Sequence, residues 1–581
     1  MNIATTGWFR RVIVGFAAAF APLCSTLAAG NEPAKAPERP KLAVVVVFDQ
    51  LRADYFTRWR DLYGTGGLRR LMNDGAWFQN CHYPYANTVT AAGHASIHAG
   101  CSPDRHGIVG NSWYDRKRKR SVHSVQSSRY RRVPARGSGP SAAPLRLLAP
   151  TLADALKAAT SGKARVISLS YKDRPAVVSG GRKPDACYWF DAATGEFVTS
   201  TYYQADPHPW VRKFNASRAA DRWFGKTWDR LRTDLEYRRH SGPDDVAAEW
   251  TGYGQGRTFP HAMGKPARKP GKEYFNALIN SPFGNDLLLE LVKAAVVGER
   301  LGSRDTPDLL CVSFSSNDVA GHAWGPDSQE VLDVTLRTDG IVRDLLAFLD
   351  RQVGKGRYVL ALSSDHGVCP LPEISRKNGK DAHRYDLKNI RRDVEKQLRA
   401  ALVPKLALVP KLQLGNEKPL IETVSSGEFY FNHQVLKSMK VDPRRAESLL
   451  AGFLKKQPGI LTAYTRTELL GEIPKSDTLG WKLQRSFFPD RSGDVFVVVR
   501  PYSLLTSRAT GTSHGSPHEY DTHVPLLFFG SGIPARTYKQ AITPQVVATV
   551  LSRRLGIKPP AKADAGIPAG LFPVDKRPSP R

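Results

Sequence analysis

Cysteine is scarce in this chain, with six in 581 residues: Cys24, Cys81, Cys101, Cys187, Cys311 and Cys369. No two stand in a CxxC pair, which excludes thiolate zinc knuckles and dithiol redox motifs. So few thiols in so long a chain make no disulfide scaffold, and the core must supply the stability. Acidic residues are also in short supply: 54 Asp and Glu face 84 Lys and Arg, a formal net charge of +30. An excess of that sign suits anionic partners. However, no zinc-finger spacing, recognition-helix pattern or RNA-binding aromatic signature accompanies the basic runs Arg116 to Arg120 and Arg129 to Arg132. The charge therefore reads as a basic surface without specific nucleic-acid recognition. Past the N-terminal segment no apolar run is long enough to cross a bilayer. With 41% hydrophobic and 24% charged residues, global disorder is excluded and a packed core is within reach.

The first 29 residues have the build of an export signal. Arg10 and Arg11 precede an apolar stretch from Val12 to Leu23, and the small residues Ala28 and Ala29 mark a cleavage point. Removal of this segment takes Cys24 with it and leaves five cysteines in an oxidising compartment, so at least one is free or paired between chains. The expected location is periplasmic or extracellular. Residues 30–40 form a Pro-, Lys- and Glu-rich linker, 41–557 the main domain, and 558–581 a Pro- and Lys-rich tail expected to end loosely.

Continuous apolar runs recur along the domain: Lys41 to Gln50, Arg165 to Ser170, Asp308 to Phe314, Arg357 to Ser363 and Val524 to Phe529. Runs of that kind suit strands buried on both faces. Helical stretches lie between them: Leu148 to Ala159, Asp286 to Arg300 with Asn285 as its cap, and Ser328 to Gln352. The alternation predicts an α/β fold with a doubly wound, mostly parallel sheet covered by helices on both faces. Ser112 to Phe283 and Cys369 to Arg508 break the rhythm and are expected to be insertions on the functional edge. Ala401 to Leu406 (ALVPKL) repeats at once as Ala407 to Leu412, a tolerated loop duplication rather than a solenoid.

Chemistry-bearing residues gather where strands end. Asp49 closes the first strand; Asp318 follows the strand Asp308 to Phe314, with His322 four residues on; Asp365 and His366 close the strand Arg357 to Ser363; His514 precedes the last strand. In open α/β sheets the carboxyl ends of strands form the ligand crevice, so distant residues can converge there. Three aspartates and three histidines suffice for two cations with three protein ligands each, a mixture that suits zinc. His518 and His523 are assigned local structural hydrogen bonds.

These motifs, with Asn-Thr-Val-Thr90-Ala-Ala-Gly-His94, resemble the alkaline phosphatase superfamily. The likeness is to its phosphate-irrepressible, monomeric bacterial members with a threonine nucleophile, relatives of type I phosphodiesterases and nucleotide pyrophosphatases. It runs from about Leu42 to Gly530. The resemblance implies two zinc ions, one held by Asp318, His322 and His514, the other by Asp49, Asp365 and His366, roughly 4 Å apart. It implies Thr90 as nucleophile, at the start of a helix whose dipole helps hold the phosphoryl group; Thr88 is the rival. Asn111, Lys172 and Arg174 match the phosphate-binding set, and the last two share one face if their segment is extended. Cys101-Ser-Pro-Asp-Arg105 looks like a sulfatase motif but fails on register. Counting back ten from Gly100, the end of the nucleophile helix, lands on Thr90, and Cys101 lies beyond it.

The expected activity is hydrolysis of small phosphate monoesters by an exported, monomeric zinc enzyme. A phosphodiesterase or nucleotide pyrophosphatase is the nearest alternative, with a phosphonoacetate-type hydrolase further off. A non-catalytic protein that holds anionic envelope polymers comes from a different class.

Overall fold

Seven consecutive apolar residues, Leu42–Phe48 (β1), are fully buried because both faces of the strand are covered. Leu42, Val44, Val46 and Phe48 enter one hydrophobic core, while Ala43, Val45 and Val47 enter another on the opposite face. The computed structural model describes residues 38–135, 141–264, 266–402 and 418–572. The export segment, most of the linker, most of the ALVPKL duplication and the end of the tail lie outside them.

Around β1 stand Val166–Ser170 (β2), Ala186–Asp191 (β3), Asp308–Phe314 (β4), Tyr358–Ser363 (β5) and Leu526–Gly530 (β6). The central order is β6-β5-β1-β4-β2-β3, within a sheet of ten strands. From β5 to β3 all neighbours are parallel, whereas β6 pairs with β5 antiparallel. The sheet is thus mixed, with a parallel centre and antiparallel flanks. That geometry puts the carboxyl ends of β5, β1, β4 and β2 side by side, and β6 begins at the same edge.

The helix Thr90–Ala99 (α1) packs on one face; Pro282–Gly298 (α3) and Gln329–Leu349 (α5) pack on the other. Asp173–Gly180 (α2) and Ser316–Trp324 (α4) follow β2 and β4 directly. Helix α3 starts three residues before the expected Asn285 cap. Ser281 is its N-cap and Pro282, preset for helical φ, its first residue. Asn285 instead faces inward, accepting the Ser316 N–H and donating to Asn317 Oδ1, which anchors the start of α4.

The segment 112–283 contributes four strands to the main sheet: β2, β3, Arg132–Val133 and Glu196–Ser200. Outside that sheet it includes a hairpin of Ser112–Asp115 and Arg120–His123. Between 369 and 508 lies a four-stranded sheet with its own core, Ile421–Ser425, Glu428–Phe431, Val495–Val499 and Ile460–Thr465 in spatial order. The described part of the tail touches the domain at separate points, and its end lies outside the described residues. Asp564 donates its N–H to the Gly100 carbonyl and Leu571 is buried. Cys81, Cys101, Cys187, Cys311 and Cys369 are all free, buried thiols.

Candidate active site and metal centre

Much of the site assembles at strand ends, where the sheet sets the side chains. Asp49 follows β1 and its N–H donates to the Phe314 carbonyl, continuing the ladder with β4. Asp318 and His322 lie one helical turn apart on α4. Asp365 and His366 follow β5, and His514 comes from the loop before β6. All six are brought together. Potential ligand atoms of Asp318, His322 and His514 lie within 4.8 Å of one another, as do those of Asp49, Asp318 and His366. Asp365 joins the second group through Oδ2, 3.4 Å from His366 Nε2.

Hydrogen bonding fixes how the imidazoles face. His366 Nδ1–H donates to the Gly367 carbonyl, His322 Nδ1–H to Thr512, and His514 Nδ1–H to Thr88. A carbonyl can only accept, so each ring carries a proton on Nδ1 and turns Nε2 inward; burial keeps His366 and His514 neutral, while at His322 burial is outweighed by Asp318, which raises its basicity. His322 and His514 direct Nε2 at Asp318 Oδ1, at 3.3 and 3.7 Å. His366 Nε2 faces Asp49 Oδ1 at 3.5 Å and Asp365 Oδ2 at 3.4 Å. Those two carboxylate oxygens are buried without a hydrogen-bond partner. Three acceptors thus converge, and the nearest N–H, His94 Nδ1 at 3.2 Å from Asp365 Oδ2, already bonds the Thr90 carbonyl; a cation satisfies such a set. The donor set of imidazoles and carboxylates fits zinc.

The acidities follow from this crowding. Burial raises Asp49 well above the usual carboxylate range, with Asp318 and Asp365 adding to it. Burial also lifts Asp365 to about 7. Burial opposes ionisation of Asp318 too, but Lys172 and His322 hold it well below that range. His514 is pushed down to about 3 by burial and by His322, so its ring is neutral.

Thr90 opens α1, with its Oγ1 3.4 Å from His366 Nε2. Thr88 is placed differently: its hydroxyl donates to the buried Ser516 carbonyl at 2.9 Å. Asn111 Oδ1 accepts the Ala91 N–H at 2.9 Å, which leaves its NH2 group to donate elsewhere. Lys172 Nζ bridges Asp49 Oδ2 and Asp318 Oδ2, both at 2.5 Å. The Lys172–Arg174 segment is not extended throughout. Helix α2 begins at Asp173, so Arg174 diverges and donates from Nη1 to His123 Nε2 at 3.0 Å. Arg174 Nε is buried without a partner. Past α1, which Gly100 ends at φ +71°, the Cys101 thiol is buried and pushed up to about 12. His518 and His523 donate from Nε2 to the Val499 and Gln79 carbonyls.

Three positioning residues escape sequence reading. Gln50 donates from its backbone to Asp365 and from its amide to Asp318 Oδ1 at 2.7 Å. Asp521 accepts from Gly515 N–H, Ser516 N–H and Ser516 Oγ–H, holding the loop that carries His514. His94 donates to the Thr90 carbonyl and accepts from Ser313, tying the nucleophile turn to β4. Only the Gly-His step after Thr90 hinted at any of these. The cleft in front of the site has a volume of about 1130 Å³. Trp250 and Arg384, from the two irregular regions, both line it.

The family described as type I phosphodiesterase / nucleotide pyrophosphatase matches residues 43–523. Alkaline phosphatase PhoV of Synechococcus elongatus is 34% identical over 90% of this chain and 91% of its own. Alkaline phosphatase PafA of Elizabethkingia meningoseptica is 32% identical over 92% of this chain and 95% of its own. The crystal structure of wild-type PafA superimposes with a TM-score of 0.82 at 31% identity, covering 93% of this chain and all of that one. The chain therefore belongs to the type I phosphodiesterase / nucleotide pyrophosphatase family, as a hydrolase of the alkaline phosphatase superfamily.

Proposed function

We propose that the protein is an exported, zinc-dependent phosphatase that hydrolyses phosphate monoesters through a phosphothreonine intermediate. The observation that carries this reading is the convergence of Asp49, Asp318, His322, Asp365, His366 and His514 beside the Thr90 hydroxyl. A further support comes from a PafA variant in which a threonine, an asparagine, a lysine and an arginine are replaced together. Thr90 and Asn111, and Lys172 and Arg174, reproduce those residue types at the same separation within each pair. Asp318, His322 and His514 would hold one zinc, and Asp49, Asp365 and His366 the other. Bound there, zinc supplies positive charge that favours the Thr90 alkoxide and the leaving oxygen.

The chain's own groups do the rest. Thr90 Oγ forms a bond to phosphorus as the bond to the leaving oxygen breaks in line, and the leaving alkoxide takes a proton. Water then attacks the phosphothreonine, releasing phosphate and restoring the hydroxyl. The Asn111 NH2 group and the unpaired Arg174 N–H donate to the phosphoryl oxygens. Lys172 can join them once another cation answers Asp49 and Asp318. The lysine and arginine favour the dianionic monoester; the phosphodiesterase match favours the second reading, a diester substrate.

The test is hydrolysis of phenyl phosphate before and after chelation, with zinc returned afterwards. Chelation abolishes activity, zinc restores it, and acid-quenched enzyme carries phosphate on Thr90. Full activity in metal-free protein, or label on Thr88, overturns the reading. The export element rests on the N-terminal signal pattern. Among the described residues no helix is long and apolar enough to cross a membrane.

A further inference from the structure

Beside the phosphoryl-binding residues lies a second cationic pocket that the proposed reaction does not use. The hairpin of Ser112–Asp115 and Arg120–His123 leaves the site at Asn111 and returns to it. Ser112 pairs with His123, and the Ser124 N–H donates to the Asn111 carbonyl at 3.0 Å. Under the returning strand is a pocket of about 470 Å³ whose wall includes Arg118, Arg120, Arg129 and Arg146. His123 belongs to the same wall and touches Arg174 at 3.0 Å, so one hydrogen bond separates the pocket from the phosphate-binding set.

The charge in this pocket is under-compensated. Arg118 pairs with Asp115 at 3.4 Å, and among the described residues Arg146 donates only to the Gln126 carbonyl. Arg120 and Arg129 make no side-chain hydrogen bond or ion pair with any described residue. Burial, followed by Arg118, depresses the basicity of Arg146, which places these guanidiniums within reach of one another's field. Clustered guanidiniums without carboxylate partners are a ready site for phosphate, which they bind through bidentate, charge-assisted hydrogen bonds.

We propose that this pocket is an anion subsite that takes a second phosphate of the substrate, giving preference to esters that carry more than one. The inference rests on the phosphatase reading above, since it names the substrate class of that site. Arg120 and Arg129 are exposed and unpartnered, so replacing them puts the fold at little risk.

The experiment compares kcat/KM for fructose 1,6-bisphosphate and phenyl phosphate in the wild type and in Arg120→Ala/Arg129→Ala. The bisphosphate-to-phenyl phosphate ratio is expected to fall at least about tenfold, and 0.5 M salt is expected to erode the wild-type ratio similarly (about one power of ten for a lost charge-assisted contact). A second measurement is calorimetric binding of tripolyphosphate to Thr90→Ala, with and without the arginine replacements. Binding is expected to weaken about tenfold when the arginines are lost. An unchanged ratio together with unchanged binding overturns the proposal. So does a variant that loses only affinity for anionic phospholipid vesicles, which would make the pocket a surface-docking patch. If the wild type fails to hydrolyse phenyl phosphate, the phosphatase reading falls, while tripolyphosphate binding still decides whether the pocket takes anions.

Discussion

Gly93 is the point at which the nucleophile helix touches the loop that carries two of the six candidate ligands. A Cβ built there would lie 2.2 Å from the Asp365 carbonyl oxygen and 2.7 Å from its Cβ. Non-bonded carbon and oxygen settle near 3.3 Å or more, so Gly93→Ala forces the two elements apart by about 1 Å. The loop is poorly placed to yield. Asp365 Oδ1 accepts the Gln50 N–H, and the Gly367 N–H is held by the Asp521 carbonyl at 2.8 Å. Overpacking of this kind costs about 1–3 kcal/mol of stability. The functional cost is larger, because Thr90 lies one turn before Gly93 and its Oγ1 is 3.4 Å from His366 Nε2. A misplacement of about 1 Å at the reacting groups lowers the rate roughly a hundredfold. The assay is kcat/KM for phenyl phosphate with a urea unfolding curve for each variant. Gly452→Ala is the control. Gly452 sits on the helix Pro443–Leu454 with nothing within 4 Å of an added Cβ. It should keep full activity and gain up to about 1 kcal/mol. A Gly93→Ala protein with wild-type kcat/KM and an unshifted midpoint would refute the reasoning, because the contact would then not set the geometry.

Replacing both Lys172 and Arg174 by alanine should lower kcat/KM for phenyl phosphate by about one to two powers of ten per lost hydrogen bond, and much less for methyl phenyl phosphate. Equal losses on both substrates would show that the pair grips phosphate without regard to its charge. Glu428, buried where it accepts from the Gly493 N–H and Tyr430 hydroxyl, is lifted by burial from 4.5 to about 7. The folded state therefore binds its proton more tightly than the unfolded state. Stability from this group is full below pH 4.5 and is lost as pH rises to about 7, on the order of 3 kcal/mol at most. Glu428→Gln should flatten the fall in urea midpoint between pH 5 and pH 8, and an unchanged slope would count against it.

The strands were legible because a parallel sheet covered on both faces leaves an uninterrupted apolar run, as β1 and β4 show. Asp49, Asp365 and His366 were legible for a related reason: each sits at the edge of such a run, where a buried aspartate or histidine has no packing role, whereas Asp318 and His322 lie on α4 and His514 on the loop before β6. Asn285 was misread because the cap rule sees only local sequence. Ser281 and Pro282 offered the same signal four residues earlier, and the true partners of Asn285 lie on another helix. The shared face of Lys172 and Arg174, which required an extended segment, does not form because Asp173 starts a helix. Gln50 and Asp521 have no sequence signature at all. Gln50 takes φ +67° and its amide reaches Asp318 across 268 positions, while Asp521 works through three donors on a turn that exists only once the fold is made.

Charge balance links the site to its substrate. Asp49, Asp318 and Asp365 bring up to three negative charges into a buried space, and Lys172 answers with one positive charge. Left with that deficit, the carboxylates resist ionisation, which is why burial lifts Asp49 and Asp365 while Asp318, better placed against Lys172 and His322, escapes. Two dications would reverse the imbalance and leave the centre positive, with the Arg174 guanidinium adding to it. A dianionic monoester neutralises such a centre more fully than a monoanionic diester, before any contact with Lys172 is counted. The same reasoning extends outward along the hairpin: past Arg174 and His123 the pocket wall carries four arginines, of which Arg118 alone has a carboxylate partner among the described residues, so the positive field continues from the site into the neighbouring pocket. A substrate with negative charge at both ends meets a favourable potential along its whole length, and one with a neutral leaving group uses only half of it.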